Sequence, residues 1–260
     1  MKKFLLLFPL LTIALTSVAH ASGGFTWIGS LLHSAHIHVG QHVFTMILVA
    51  IIIAIGGVIY RAKLAKVQNI VIPDKGLTFR NITEAYGSFI YTQCKSLLGE
   101  KGTQQYFSFI ATTFLVILIC NLIGLIPGFL PPTDHLSTTL ALGCFSFIYY
   151  NVMGVKEQGL VNYLKHFCGP LWYMAFLILP IEIISNLVRP LSLALRLRSN
   201  MMGDHMVLSI FSDMAPWIVP IIFMVLGILV SFIQAYVFTI LSIVYISLAV
   251  HHDHEEGHAH

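Results

Sequence analysis

The sequence is short of charged residues. Of its 260 residues only 10% are charged and 57% are hydrophobic, whereas a soluble domain carries about 25% charged residues. This scarcity excludes a disordered or nucleic-acid-binding protein and argues against a soluble enzyme. Cysteine is scarce too: the four cysteines stand singly with no CxxC spacing, so neither a disulfide framework nor a zinc site is indicated. The composition predicts an all-α polytopic membrane protein.

The two ends of the chain differ from the rest. Residues 1–21 have the basic start, apolar core and small-residue cleavage site of a signal peptide, and the apolar core is too short for an uncleaved span. We expect residues 22–260 to form one membrane domain. Residues 251–260 are a histidine-rich tail, either a transition-metal site or, as we favour, a solvated cytoplasmic segment.

Apolar runs predict about five membrane-embedded helices and one interfacial amphipathic helix. The amphipathic segment, Leu77–Leu98, mixes apolar with charged side chains. The last two embedded segments are so long that they must be tilted or bent, and the turn at Asp213–Trp217 makes them an antiparallel hairpin. The embedded segments are His42–Tyr60, Phe107–Leu125, Leu136–Val155, Leu171–Phe211 and Ile218–Val250.

The positions of lysine and arginine predict the orientation of the chain. Of the 14 basic residues, seven lie between the first and second spans and two follow the third. Cytoplasmic loops carry such an excess. We therefore expect a bacterial inner-membrane protein with its mature N-terminus in the periplasm and its C-terminus in the cytoplasm. The segments assigned to the periplasm contain no lysine or arginine; they are Ser22–Gln41, Gly128–His135 and Ser212–Trp217.

Three arginines stand inside an apolar run: Arg189, Arg196 and Arg198. A charge near the bilayer centre costs at least ~2.5–3.5 kcal/mol, so an ionisable residue there is a functional candidate. Glu182, Arg189 and Arg196 recur every seven residues and lie on one stripe of a helix. A packing ion pair is the alternative for Glu182 and Arg189, whereas Arg196 has no acidic residue one turn away. For Arg198, packing or snorkelling is favoured.

Polar amides accompany this stripe. Asn186 and Asn200 flank it, and Gln234 is the one amide in the last apolar run. The position of the predicted turn places Gln234 opposite Arg196 at a similar depth. The alternative for Asn200 is a hydrogen bond that only joins two helices.

These residues resemble the a subunits of F-type ATP synthases, the stator subunit that faces the rotating c-ring. The resemblance covers nearly all of the mature chain, and its arginine and glutamine motifs are far more specific than a hydropathy profile. The strongest matches are Pro190–Asn200 and Ile233–Leu241, supported by Ile181–Ser185, Asn121–Pro127 and Ile72–Gly76.

The resemblance implies proton translocation without catalysis by the subunit itself, and no cofactor or nucleic acid. Its implied partners are the c-ring, the b subunits of the peripheral stalk, the rest of the F1Fo complex and membrane lipid. Arg196 matches the essential arginine of the family. The other implied ion-path positions are Asn200, Gln234, Glu182 and His205, with Arg189, Asp204 and Ser185 as accessory candidates.

Two positions depart from the family pattern: Ser199 stands where glycine or alanine is common, and Gly227 where histidine or glutamate is common. Because glycine cannot ionise, His205, Asp204 or bound water would relay the proton on the periplasmic side.

The resemblance implies two offset aqueous half-channels, with Glu182 toward the cytoplasm and His205 toward the periplasm. A straight helix separates these two residues by about 35 Å, with Arg196 between them. A stand-alone secondary transporter or proton channel is the main alternative, and an intramembrane metalloenzyme is a second. We find neither the internal repeats of inverted-repeat transporters nor an H-E-x-x-H helix in the sequence.

Overall fold

The computed structural model describes residues 40–65, 76, 78–126, 129–159, 163, 175–214 and 219–250. The predicted signal peptide and the histidine-rich tail lie outside these residues. The described part of the chain contains helices and no strand. The helices are α1 (Gln41–Ala65), α2 (Phe79–Gly124), α3 (Leu136–Gln158), α4 (Ala175–Met214) and α5 (Val219–Val250), with a short 3-10 helix at Pro132–Asp134.

All five helices are long and apolar enough to cross a membrane. This confirms the predicted all-α class and the number of embedded helices, and the predicted boundaries agree with α1, α3, α4 and α5 to within a few residues. The boundaries differ most at α2, which joins two segments that the sequence predicts separately.

A glycine divides α2. Gly99 has φ 70° and ψ −173°, a conformation in the left-handed region that favours glycine because it lacks Cβ. The amphipathic segment predicted at Leu77–Leu98 thus forms the first part of α2 and ends at this break. The apolar segment predicted at Phe107–Leu125 forms the second part, which begins directly after Gly99. The interfacial location of the first part stays a prediction.

The described residues fall into two compact units. The first unit consists of the described residues within 1–67, 114–139 and 197–236, and the second of those within 68–113, 140–196 and 237–260.

The core of the first unit joins α1 to the apolar part of α2. Val49 packs with the buried Cys120 and Ile123, and the sulfur atoms of Cys120 and Met46 are 3.7 Å apart. In the same unit α4 and α5 run antiparallel. Asn200 of α4 contacts Gln234 of α5, and Phe211 of α4 stacks on Phe223 of α5. The later residue of α4 thus meets the earlier residue of α5, as it must in an antiparallel pair.

The second unit is held by close helix approach. A Cβ at Gly143 of α3 would lie 2.7 Å from the carbonyl oxygen of Pro190 of α4, so only glycine allows this contact between the helices. The hydroxyls of Ser146 and Ser242 join α3 to α5 at 3.1 Å. These contacts position the polar residues of α3 and α4.

Candidate functional site

Arg196 is exposed on α4. Among the residues that the structure describes, it forms no hydrogen bond and no ion pair. Its neighbours one turn away on the same face, Ser192, Ser199 and Asn200, are exposed too, and the exposed Leu195 and Met202 flank that face. The guanidinium therefore stands on a narrow polar stripe of an apolar helix, where a permanent charge needs a partner that lies outside the described residues.

A polar network in the second unit joins α3 to α4. The Tyr150 hydroxyl donates to Asn186 Oδ1 at 2.7 Å. Asn186 Nδ2 donates to Asn151 Oδ1 at 3.2 Å, and the same oxygen accepts the Tyr163 hydroxyl at 2.6 Å. Asn151 Nδ2 donates to the Phe147 carbonyl at 2.7 Å. This bond fixes the orientation of the Asn151 amide, which in turn fixes that of Asn186.

Tyr163 lies outside the membrane-spanning helices. Burial raises the pKa of its phenol above the ordinary value of 10.0, and the nearby Arg189 acts in the opposite direction. The hydroxyl therefore remains a neutral donor to Asn151 at physiological pH.

Glu182 and Arg189 lie together in the second unit and form the ion pair that was the alternative interpretation of their shared stripe. A guanidinium nitrogen of Arg189 is 3.6 Å from Glu182 Oε1, and its guanidinium carbon is 5.4 Å from the centre of the Tyr245 ring. Both charged side chains are partly buried. Arg189 thus has an acidic and an aromatic partner, whereas Ser185, another candidate on α4, is exposed.

In the first unit Asn200 and Gln234 form a direct pair. Asn200 Nδ2 donates to Gln234 Oε1 at 2.5 Å, and Gln234 is buried. The hydrogen-bond partner of Gln234 is thus the amide one helical turn after Arg196 on α4. That Gln234 faces Arg196 at a similar depth stays a prediction.

A cavity of about 260 Å³ lies in the first unit beside Asp204 and His205. The Asp204 Oδ2 atom is buried and has no hydrogen-bond partner among the described residues. Gly227 lines the same cavity, and a Cβ there would lie 2.5 Å from Leu125 Cδ2. The remaining lining residues are Gly124, Met201, Val207, Leu208, Phe223 and Leu226.

Residues 43–247 match the family of ATP synthase A chains, a stretch that covers well over half of the sequence. The chain belongs to this family. The family membership confirms the resemblance that the arginine and glutamine motifs indicate, and together with five helices that are long and apolar enough to cross a membrane it makes the chain a membrane protein.

Several members of the family are similar in sequence to this chain over much of its length. ATP synthase subunit a of Bdellovibrio bacteriovorus is 45% identical over 218 residues, which are 84% of this chain and 94% of that one. ATP synthase subunit a of Geobacter sulfurreducens is 47% identical over 179 residues, 69% of this chain and 76% of that one. ATP synthase subunit a 1 of Syntrophotalea carbinolica is 54% identical over 161 residues, 62% of this chain and 66% of that one.

Within this family fold the structure brings together some predicted residues and adds others. It pairs Glu182 with Arg189 and Asn200 with Gln234, and it places Asp204 and His205 at one cavity. Sequence reasoning gave no role to Tyr150, Asn151, Tyr163 or Asp134, and for Arg198 it favoured packing or snorkelling. The sequence signal that could have identified these residues is an amide, hydroxyl or charged group in or beside an apolar run. In the described part of the chain no three His, Cys, Asp or Glu residues could hold a metal ion together.

Proposed function

We propose that the chain is the proton-translocating membrane subunit of an ATP synthase, in which Arg196 is the charge that faces the c-ring. Membership of the ATP synthase A chain family supports this function. A stand-alone transporter is not favoured, because relatives covering most of the chain are ATP synthase subunits. The subunit itself carries out no covalent chemistry in this proposal.

The observation that carries the proposal is that Arg196 is exposed, and unpaired among the described residues, in a helix apolar enough to cross a membrane. A guanidinium keeps its charge at any physiological pH, so Arg196 cannot itself carry the proton. It can attract a carboxylate that has lost its proton and repel any cation that approaches. A ring of subunits, each bringing one carboxylate past Arg196, supplies the partner that the described residues do not contain.

The two units supply a candidate half-channel each. In the first unit, Asp204 and His205 border a cavity of about 260 Å³, large enough for several waters at about 30 Å³ each. The buried unpaired oxygen of Asp204 is a group that such a water would satisfy. We assign this cavity to the periplasmic side, following the distribution of basic residues.

The second unit offers the polar groups for the cytoplasmic half-channel. Glu182 is partly exposed beside Arg189, and the exposed Ser185 lies on the next part of the same helix. A partly exposed carboxylate can accept a proton and pass it to water. Along α4, Glu182 and Arg189 precede Arg196, while Asn200, Asp204 and His205 follow it.

The proposed cycle needs only positioning and electrostatics. A proton reaches the c-ring past His205, neutralises a ring carboxyl, travels with the ring and leaves past Glu182. Arg196 discharges the returning carboxyl and prevents a direct leak. Each charge that crosses a potential of 100 mV supplies about 2.3 kcal/mol, which the ring converts to rotation. The b subunits would hold this chain against that torque.

The test is ATP-driven proton pumping in inverted membrane vesicles that contain the whole complex. Arg196→Ala should abolish pumping while the complex stays assembled, because no other described residue offers an unpaired permanent charge at this surface. Arg61→Ala is the matched control, since Arg61 is also exposed but lies at the end of α1, and it should pump normally.

Normal pumping by Arg196→Ala would overturn the assignment. The coupling ion is tested in the same vesicles by varying sodium at constant ionic strength. Pumping that does not depend on sodium supports protons, whereas a requirement for sodium contradicts them.

A further inference from the structure

Three helices line the cavity of the first unit, and each carries a buried polar atom that has no hydrogen-bond partner among the described residues. These atoms are Asn121 Nδ2 of α2, Asp204 Oδ2 of α4 and Ser231 Oγ of α5. The side chains of Asn121 and Ser231 are completely buried. Buried polar groups almost always bond to another protein group or to an ordered water, so these three atoms indicate a bound molecule.

All three residues lie at the wall of the cavity. Asp204 borders it directly. Asn121 is three residues before Gly124, and Ser231 is four residues after Gly227; both glycines line the cavity. Residues three or four apart share a face of a helix, so the amide and the hydroxyl continue the two helix faces that form the wall.

The contacts between α4 and α5 fix the register of these two helices at the cavity. Asn200 bonds Gln234, and Phe211 stacks on Phe223 with ring centroids 4.9 Å apart. From the first contact to the second is eleven residues forward along α4 and eleven residues back along α5. The helices therefore keep one register over the whole stretch that contains the cavity.

In this register Ser231 and Asp204 lie at nearly the same height. Ser231 is three residues before Gln234, so it is level with the residue three after Asn200. Asp204 is the next residue of α4, about 1.5 Å further along the axis. The unpaired oxygens of Ser231 and Asp204 thus belong to the end of the cavity nearer Asn200 and Gln234, which we call its inner end.

The second part of α2 contacts α5 on both sides of Ser231. Phe114 meets Phe232 with ring centroids 5.8 Å apart. The side chain of Leu125, directly after α2, lies against Gly227, where an added Cβ would be 2.5 Å from Leu125 Cδ2. The part of α2 between these two contacts therefore passes Ser231.

Asn121 lies in that part of α2, and its amide has a fixed orientation. Asn121 Oδ1 accepts the Thr133 hydroxyl at 3.1 Å. Thr133 belongs to the connection between α2 and α3, which Arg198 of α4 holds by donating from Nε to the carbonyl oxygen of Asp134 at 3.2 Å. Because Oδ1 is occupied, the group that Asn121 has left to offer is the Nδ2 donor.

The three unpaired groups match the hydrogen bonds of one water molecule. Water can accept from Asn121 Nδ2, donate to the Asp204 carboxylate, and either donate to or accept from the Ser231 hydroxyl. A buried water typically makes about three hydrogen bonds. A hard metal cation needs oxygen ligands, and the N–H group of Asn121 cannot supply one.

We propose that Asn121, Asp204 and Ser231 together hold one water molecule at the inner end of the cavity, and that this water relays protons between Asp204 and the c-ring. The proposal rests on the proposed function, in which the cavity belongs to the periplasmic half-channel. It adds Asn121 and Ser231 to the proton path as positioning residues, and it names water rather than a metal ion as the ligand.

The relay leaves the water unchanged. During ATP-driven pumping the water oxygen accepts a proton from the side of the c-ring, and one of its own O–H bonds breaks as that proton passes to Asp204 Oδ2. The water is thereby regenerated, and the neutral Asp204 carboxyl then loses its proton to the outer solution. Asn121 and Ser231 gain and lose no proton, because their role is to hold the water oxygen in place.

A cryo-EM map of the whole complex, at a resolution that shows ordered water, tests the site directly. One water should lie within about 3.2 Å of Asn121 Nδ2, Asp204 Oδ2 and Ser231 Oγ. The proposal is wrong if these atoms bond directly to protein groups, or if they lie too far apart to share one water.

The variant Ser231→Ala tests the relay. It removes one hydrogen bond to the water, so ATP-driven pumping in inverted vesicles should be about fivefold slower per assembled complex. Proton transfer should then limit the rate, so the ratio of the pumping rates in H2O and D2O should rise above that of the unaltered chain. Unchanged pumping, or slower pumping at an unchanged ratio, would contradict the relay.

Three further variants separate the water from packing. Ser231→Thr keeps a hydroxyl and should restore the pumping rate. Asn121→Leu removes Nδ2 at a similar side-chain size, and it should slow pumping and raise the ratio as Ser231→Ala does; an unchanged ratio would exclude a shared water. Thr45→Val is the matched control, since it removes a buried hydroxyl of α1 that bonds the Gln41 carbonyl at 2.9 Å, and it should change neither the rate nor the ratio.

Arg196→Ala in the same vesicles keeps the two proposals apart. If that variant pumps normally, the proposed function itself is wrong. If it does not pump while Ser231→Ala pumps like the unaltered chain, only the water site is wrong.

Discussion

The polar network of the second unit and the cavity of the first unit treat their polar side chains in opposite ways. In the second unit Tyr150, Asn151, Tyr163 and Asn186 satisfy one another through directed hydrogen bonds. In the first unit Asp204 keeps a buried oxygen without a partner at the edge of a cavity. A closed network fixes geometry, whereas an open cavity leaves ionisable groups accessible to water. Transport needs both properties, and the chain separates them.

The arginines of α4 differ in the same way. Arg189 has Glu182 and the Tyr245 ring as partners, whereas Arg196 is exposed and has none among the described residues. Both stand in one apolar run and on one helical stripe, so residue type and spacing do not distinguish them. Their surroundings do: in the proposed function Arg189 has a static role, and Arg196 is left for a partner outside the described residues.

Removal of Asn186 is expected to damage the closed network most. In Asn186→Leu the Tyr150 hydroxyl loses its acceptor and Asn151 loses a donor, and each buried group left unpaired costs about 1–3 kcal/mol. Thermal unfolding of the detergent-purified complex should show a clear loss of stability. Leu187→Ala is the control, because Leu187 is the next residue and is 64% exposed. Equal stability of the two variants would mean that the network contributes little.

Filling the cavity should affect transport more than stability. In Gly227→Leu the new side chain meets Leu125, which costs about 1–3 kcal/mol if the helices must move, and it occupies the space beside Asp204 and His205. ATP-driven pumping in vesicles should fall strongly. Gly57→Leu is the control, since no atom lies within 4 Å of a Cβ at Gly57 of α1.

A second substitution separates strain from blockage. Leu125→Ala in the Gly227→Leu background removes the clash but leaves the cavity filled. Stability should recover while pumping does not. Recovery of pumping together with stability would show that the open cavity is not part of the proton path.

Hydropathy and charge could predict the helices of this chain because each signal is local. The five apolar runs became five helices, and Gly99 ended the amphipathic segment where the polarity of the sequence changes. The seven-residue spacing likewise put Glu182 and Arg189 on one stripe of a helix, and the ion pair between them that was the alternative interpretation is present. Such features depend only on the geometry of a single helix.

Contacts between helices could not be predicted with the same accuracy. When the midpoint of an antiparallel turn moves by two residues, the facing residue moves by four, which is one helical turn. The periodicity of α4 and α5 therefore could not single out Asn200 as the hydrogen-bond partner of Gln234. The Tyr150–Asn186 bond and the Arg198–Asp134 bond depend on the register between helices, which the periodicity of each helix does not contain. The cavity at Gly227 depends on that register as well.

The smallest expected effect concerns the amide pair of the first unit. Its two side chains bond each other, whereas the Asp204 oxygen at the cavity of the same unit has no partner among the described residues. Asn200 and Gln234 share one hydrogen bond, and such bonds between membrane helices couple by about 0.6–1.7 kcal/mol. A double-mutant cycle with Asn200→Ala and Gln234→Ala, measured by the unfolding free energy, should give a coupling in this range. Ser231 is the control, since it lies one turn from Gln234 and its buried hydroxyl has no partner among the described residues. The effects of Asn200→Ala and Ser231→Ala on the unfolding free energy should be additive. Equal coupling energies in the two cycles would mean that the amide bond does not fix the register of α4 against α5 in the first unit.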